Sequence, residues 1–200
     1  MTNLGYCCIN MTLKKDKVTT NRGMIKRTFL SEGIQRSSDL ALENARDLIK
    51  IIKWNNENGF NLFRISSDIV PWASEFDLKE MPDYERFSNL LKGAGTLAKQ
   101  YGQRITSHPG PFNVLVSPSE KVVQNTFKDL TTHGEMFDLL GLERSHYNPI
   151  NIHCNGVYGD KKSAMDRFCK NFEKLPDSVR TRLVVENDDK ASMYSVKDLM

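Results

Sequence analysis

Three side chains in this 200-residue sequence have the chemistry of divalent-metal ligands: His108, His133 and Glu186. His108 lies in SHPGPFNVLVSP (107–118), at the end of an apolar strand pattern, and Pro109-Gly110 turns the chain sharply away from it. A neutral imidazole there can bind a divalent metal, or it can be an ordinary hydrogen-bonded histidine. His133 stands at helical spacing between Leu130 and Phe137, on a stripe that faces a core. An imidazole buried without a partner is costly, so it needs a carbonyl, a carboxylate or a metal. The commonest outcome for such a residue is a satisfied core histidine, and its pairing with His108 on the preceding strand brings the metal reading forward. Glu186 ends the apolar run RLVVEN (182–187). A carboxylate there pairs with a cation across the rim or ligates metal, where it could bridge two ions. Asp188 and Asp189 read as helper or loop residues, and His146, in ERSHYNP, as a surface histidine.

The elements that would carry these residues alternate. Strand patterns are LGYCCIN (4–10), NLFRIS (61–66), RITSHP (104–109), INIHC (150–154) and RLVVEN (182–187). Helical spacing runs over 38–57, 83–101 and 161–174, and a helix opens after the S-P-x-E sequence at Ser117, Pro118 and Glu120. Ser195 has the character of one more N-cap. Such alternation predicts a parallel sheet flanked by helices. Polar residues gather where each strand ends: Tyr6 and Asn10, then Ser66 to Asp68, His108, His153 with Asn155, and Glu186 to Asp189. That pattern fits a TIM (β/α)8 barrel, whose site collects at the C-terminal rim. A doubly wound sheet would concentrate its ligands at one switch point. No GxGxxG or P-loop follows a strand, which removes the common nucleotide cradles. With strand patterns for only part of a barrel, residues 1–200 read as a single partial barrel domain, cut off after about five β/α units.

Composition sets bounds on the rest. The net charge of +3 permits a polyanionic partner without requiring one. Residues 14–36 carry Lys14, Lys15, Lys17, Arg22, Lys26, Arg27 and Arg36 against Asp16 and Glu32, either a solvated basic loop or a contact for nucleic-acid phosphates. Cys7, Cys8, Cys154 and Cys169 form neither a disulfide framework nor a zinc pattern, and a reducing, cytoplasmic or other intracellular compartment is expected. Neither a signal peptide nor a membrane span is expected.

In order along the chain, LGYCCINMTL, FRISSDIVPWAS, SHPGPFNVL, THGEMFDLLGL, IHCNGVYGDKKSAMDRF and LVVENDD resemble the UV damage endonuclease family. The resemblance covers essentially the whole chain. It implies a xylose-isomerase-like barrel related to endonuclease IV, holding a cluster of two or three divalent ions, with manganese expected for a mixed imidazole–carboxylate set. It implies nicking of damaged double-stranded DNA immediately 5′ to UV photoproducts and other lesions, by a monomer. His108, His133 and Glu186 match metal ligands by this resemblance. Tyr6 and Asn10 match catalytic residues lining the lesion and the scissile phosphate. His153 and Asn187 are supporting rim residues. Pro111 and Phe112 stand where many members have Gln and Tyr that wedge into the duplex at the lesion. Phe112 keeps the stacking function, whereas Pro111 lacks the hydrogen bonds of a glutamine. The resemblance also implies further strands with additional ligands beyond this sequence. Two alternatives stay open: a sugar isomerase or epimerase on the same barrel, and a non-catalytic DNA-binding remnant.

Overall fold

A computed structural model describes residues 4–200. Five short strands form one sheet: β1 Gly5–Cys7, β2 Leu62–Ile65, β3 Arg104–Ser107, β4 Ile150–His153 and β5 Leu183–Glu186. Every neighbouring pair is parallel, and the spatial order β1-β2-β3-β4-β5 follows the chain. The main helices are α1 Lys26–Glu57, α2 Tyr84–Gln100, α3 Glu120–Leu139 and α4 Lys161–Phe172, with single-turn helices α5 Asp177–Arg180 and α6 Val196–Leu199.

Side chains alternate across the sheet, as the two-residue period of a strand requires. Phe63, Ile65, Ile105, Ile150 and Ile152 are buried, while Leu62, Arg64, Arg104, Thr106 and Asn151 between them are only half-buried. One side of the sheet therefore carries the core. The other side is more polar, and it is the side on which Asn151 and His153 stand. β1 and β5 are the outer strands.

Several helix ends differ from the sequence reading. α1 begins at Lys26 rather than near Ser38, because residues 26–32 form a first helical segment that breaks at Gly33 (φ 65°, ψ −156°). Phe29 anchors that segment by stacking on Trp72, at 5.2 Å between ring centroids. α3 begins at Glu120, with Ser119 as its N-cap and no side-chain capping bond. The hydroxyl of Ser117 is used differently: it accepts from the Ser119 amide at 3.1 Å, and this local turn displaces the expected capping box. α4 is capped by Asp160, which accepts from the amides of Lys162 and Ser163. The Ser195 cap forms as expected, with a reciprocal bond to Asp198.

The long segment between β2 and α2 is tied down by buried polar groups. The Asn44 amide donates to the Asp68 and Ile69 carbonyls at 3.3 and 3.1 Å. Arg182, directly before β5, is fully buried and donates to the carbonyls of Leu142, Ser178 and Glu143 and to Asp138. It thereby fixes the end of α3 to the entry of β5. Among the described residues, no helix is long and apolar enough to cross a membrane.

Candidate metal centre

The strand ends bring three of the four histidine and carboxylate candidates together. Glu186 is the last residue of β5 and stands in register with His153, the last residue of β4. His108 follows directly on β3. The His108 Nε2 lies 3.2 Å and the His153 Nε2 4.0 Å from Glu186 Oε2, and the two imidazole centroids are 5.3 Å apart. One ligand atom from each residue falls within 4.8 Å of the other two. Two imidazole nitrogens and a carboxylate at this spacing fit a divalent cation of the borderline class.

The surroundings orient these groups. The Asn151 amide donates to Glu186 Oε2 at 2.5 Å. Partial burial works to raise the Glu186 carboxyl, but the Asn151 hydrogen bond and the two imidazoles outweigh it and hold the group below the usual carboxylate range. The Glu186 side chain is 46% exposed, so the cluster opens to solvent and to a substrate. The Nδ1 of His108 faces the Pro109 carbonyl at 3.1 Å. If that nitrogen carries the proton, Nε2 is left with a free lone pair for a cation. The Nδ1 of His153 is buried without a hydrogen bond, and Asp188 Oδ1 stands 3.6 Å from it. Asp188 is itself held by its amide bond to the Tyr194 carbonyl at 2.9 Å, and the fully buried Tyr194 donates its hydroxyl to the Gly156 carbonyl. Next to His153, burial pushes the thiol of Cys154 up to about 12.

His133 does not join this cluster. It sits on α3, only 2% exposed, with its Nε2 3.9 Å from Asp129 Oδ2 and its Nδ1 buried without a partner. Burial lowers its pKa against the opposing pull of Asp129 and Asp68. The physical reason is positional. From α3, His133 faces the segment after β2, where it lines a cavity with Asp68 and Trp72, whereas His108, His153 and Glu186 meet at the strand ends. The sequence reading placed His153 in support; the structure places it in the cluster. The signal was available, since His108, His153 and Glu186 all end strand patterns and His133 does not.

Tyr6 and Asn10 are brought together, though on the core side of β1. Tyr6 is in register with Phe63 and packs edge-on against Phe60. Its hydroxyl donates to Asn55 Oδ1 at 2.5 Å and accepts from the Asn10 amide at 2.8 Å. Asn10 Oδ1 accepts from the amides of Thr12 and Leu13. With Trp54 and Phe60 the pair lines an open groove of about 240 Å³. Asn187 is exposed beside Glu186.

Pro111 and Phe112 lie on a turn after β3. The Asn113 amide donates to the Gly110 carbonyl at 3.0 Å, and the Asn155 amide to the Pro111 carbonyl at 3.2 Å. A Cβ at Gly110 would come within 2.4 Å of the Phe112 ring, so glycine is what lets that ring fold back over the turn. Phe112 is 68% exposed. In the basic segment, Arg22 is committed internally to Asp47, Glu43 and two carbonyls, whereas Lys14, Lys15, Lys17, Lys26 and Arg27 are exposed.

Comparison with known proteins bears on this arrangement. The chain is 37% identical to the UV-damage endonuclease of Schizosaccharomyces pombe, over 98% of this chain and 33% of that protein. It is 36% identical to the UV DNA damage endonuclease of Clostridium perfringens, over 98% of this chain and 45% of that protein. The chain thus spans less than half the length of either. Its fold superposes on the crystal structure of SacUVDE with a TM-score of 0.87 at 31% identity, covering 99% of this chain and 64% of that one. The profile of the family described as UV-endonuclease UvdE matches residues 2–200. Sequence and fold agree, and the chain belongs to the UV-endonuclease UvdE family.

Proposed function

We propose that this chain carries the metal-binding half of a DNA repair endonuclease that hydrolyses a phosphodiester bond 5′ to UV photoproducts and related lesions. The observation that carries this reading is the convergence of His108, His153 and Glu186 at adjacent strand ends. A bound divalent cation, with manganese the expected ion, supplies Lewis acidity that acidifies a water and offsets charge on phosphate oxygens. The residues of the chain do the rest. His108 and His153 present their Nε2 atoms toward Glu186, and Asn151 keeps that carboxylate aimed at the cluster. Exposed Lys14, Lys15, Lys17, Lys26 and Arg27 offer cations to the phosphates of double-stranded DNA. The groove at Tyr6 and Asn10 and the ring of Phe112 are contact points for the damaged strand and its bases.

The sequential strand order supports reading residues 1–200 as a partial TIM barrel, since a doubly wound sheet reverses its order at a switch point. Supercoiled plasmid, UV-irradiated or not, incubated with the chain and manganese provides the test. Nicking that requires both irradiation and the cation is expected. Nicking of neither plasmid, or of both equally, would contradict the assignment for this chain.

A further inference from the structure

The buried imidazole that the metal cluster leaves unused faces a cavity of its own. His133 and Asp129 line a space of about 430 Å³ together with Trp72, Phe112, Met24 and Met136. That volume lies within the roughly 300–1,000 Å³ range of small-molecule sites. We propose that it receives an unpaired adenine base of a bound DNA strand. The inference rests on the nucleic-acid reading of the function for its source of adenine, while the chemistry of the cavity stands by itself.

The polar groups define the ring edge that fits. His133 Nδ1 is buried without a partner. A proton there would be an unsatisfied buried donor, so the neutral imidazole carries its proton on Nε2. That Nε2–H stands 3.9 Å from Asp129 Oδ2, too far for the two to satisfy each other. Asp129 Oδ2 accepts from the Asn113 amide at 2.7 Å, and a carboxylate has lone pairs left for a second donor. The site therefore offers a donor beside an acceptor. Adenine supplies the complement, its exocyclic amine to Asp129 and a ring nitrogen to His133.

Charge selects among the bases. Asp68 lines the same cavity, so two carboxylates face the ligand beside a neutral imidazole. A carbonyl oxygen is repelled there, and adenine is the one DNA base without a carbonyl. Trp72 is held in place by stacking on Phe29 and by its indole bond to the Met24 carbonyl at 3.0 Å. Together with Phe112 it gives the cavity aromatic surface of the kind on which bases stack. Phe112 also follows His108 in the chain by only a short turn.

Methionine methyl NMR reads this directly, because Met24 and Met136 line the cavity. The chain labelled at its methionine methyls is titrated with deoxyadenosine, deoxyguanosine and thymidine. Deoxyadenosine is expected to move the Met24 and Met136 signals with roughly tenfold higher affinity than either other nucleoside. Asp129→Asn is expected to abolish that response, and Asp68→Asn to narrow the preference. Oligo(dA) is expected to move the same signals more strongly than the nucleoside, and oligo(dT) to leave them still. No response to deoxyadenosine at millimolar concentration, an equal response to all three, or an unchanged response in both variants overturns the proposal. Response to the nucleoside but not to oligo(dA) overturns the DNA strand as its source. Irradiation-dependent nicking without any nucleoside response sinks this site alone. Nucleoside binding without nicking sinks the nuclease reading alone.

Discussion

His108 Nε2 and Glu186 Oε2 lie 3.2 Å apart although 78 residues separate them in the chain. The contact exists because β3, β4 and β5 are parallel neighbours: β4 and β5 end level, with His153 in register with Glu186, and His108 leaves the sheet directly after Ser107, which lies opposite Ile150 at the start of β4. A carboxylate beside two imidazoles at a solvent-open strand end is an arrangement that favours a cation over a buried ion pair.

Asp188 is expected to act through His153. Its carboxylate stands 3.6 Å from the buried Nδ1, placed to accept a hydrogen bond from Nδ1–H when Nε2 binds a cation. Asp188→Ala should lower manganese affinity roughly 10–100-fold, and Asp188→Asn should restore part of it. Isothermal titration calorimetry measures the affinity, and the nitrogen spectrum of His153 reports which nitrogen is protonated. An unchanged affinity and tautomer would remove Asp188 from the site.

Arg182 is expected to be a structural side chain of unusual weight. Its fully buried guanidinium serves four carbonyls as well as Asp138. Arg182→Leu leaves those acceptors unsatisfied and should cost on the order of 3 kcal/mol or more in urea unfolding. A loss below about 1 kcal/mol would mean that water or repacking replaces the guanidinium.

Two glycines of α2 should respond to alanine with opposite signs. A Cβ at Gly93 meets nothing within 4 Å, whereas one at Gly95 would lie 1.7 Å from the Leu140 carbonyl oxygen. Gly93→Ala should stabilise by about 0.5–1 kcal/mol through helix propensity. Gly95→Ala should destabilise by about 1–3 kcal/mol, because α2 must move away from the end of α3. Thermal melts of the two variants decide it.

Acid should unfold the chain partly through Asp47 and Asp138. Burial works to raise both carboxyls, but Lys50, Arg22 and the Thr19 amide outweigh it at Asp47, and Arg144 and Arg182 do so at Asp138. Both folded values are therefore depressed. The stability they add is complete above the unfolded carboxylate value near 3.9 and is lost as pH falls through the folded values. Melting temperature followed downward from pH 6 should fall most steeply below about pH 4. Asp47→Asn should flatten that fall while lowering the melting point at pH 6.

The alternation of strands and helices was legible because parallel strands buried on one side are short β-rich runs, and α1 to α4 show apolar residues at helical spacing. The early start of α1 was not legible, since Lys26 to Glu32 is basic and polar and gains its helical form from the stacking of Phe29 on Trp72. The position of β5 was read well, but the clamp by Arg182 depends on carbonyls from distant segments. At the strand ends, the sequence pattern picked out His108 and Glu186, which the fold brings within 3.2 Å of each other. It also pointed to His153, and the pull of an unexplained buried histidine drew attention to His133 instead. Periodicity says that a residue faces a core; it does not say which side of the sheet that core lies on.

The central claim is that His108, His153 and Glu186 hold one divalent cation. Manganese titration of the chain, its His153→Ala variant and a His146→Ala control, followed by calorimetry with matched circular dichroism, tests it most directly. His146 is exposed and remote from the cluster in role. The account predicts saturable binding by the unaltered chain and by His146→Ala, and loss of at least about tenfold in affinity for His153→Ala. Equal binding by all three folded proteins, or binding by none of them, would contradict it.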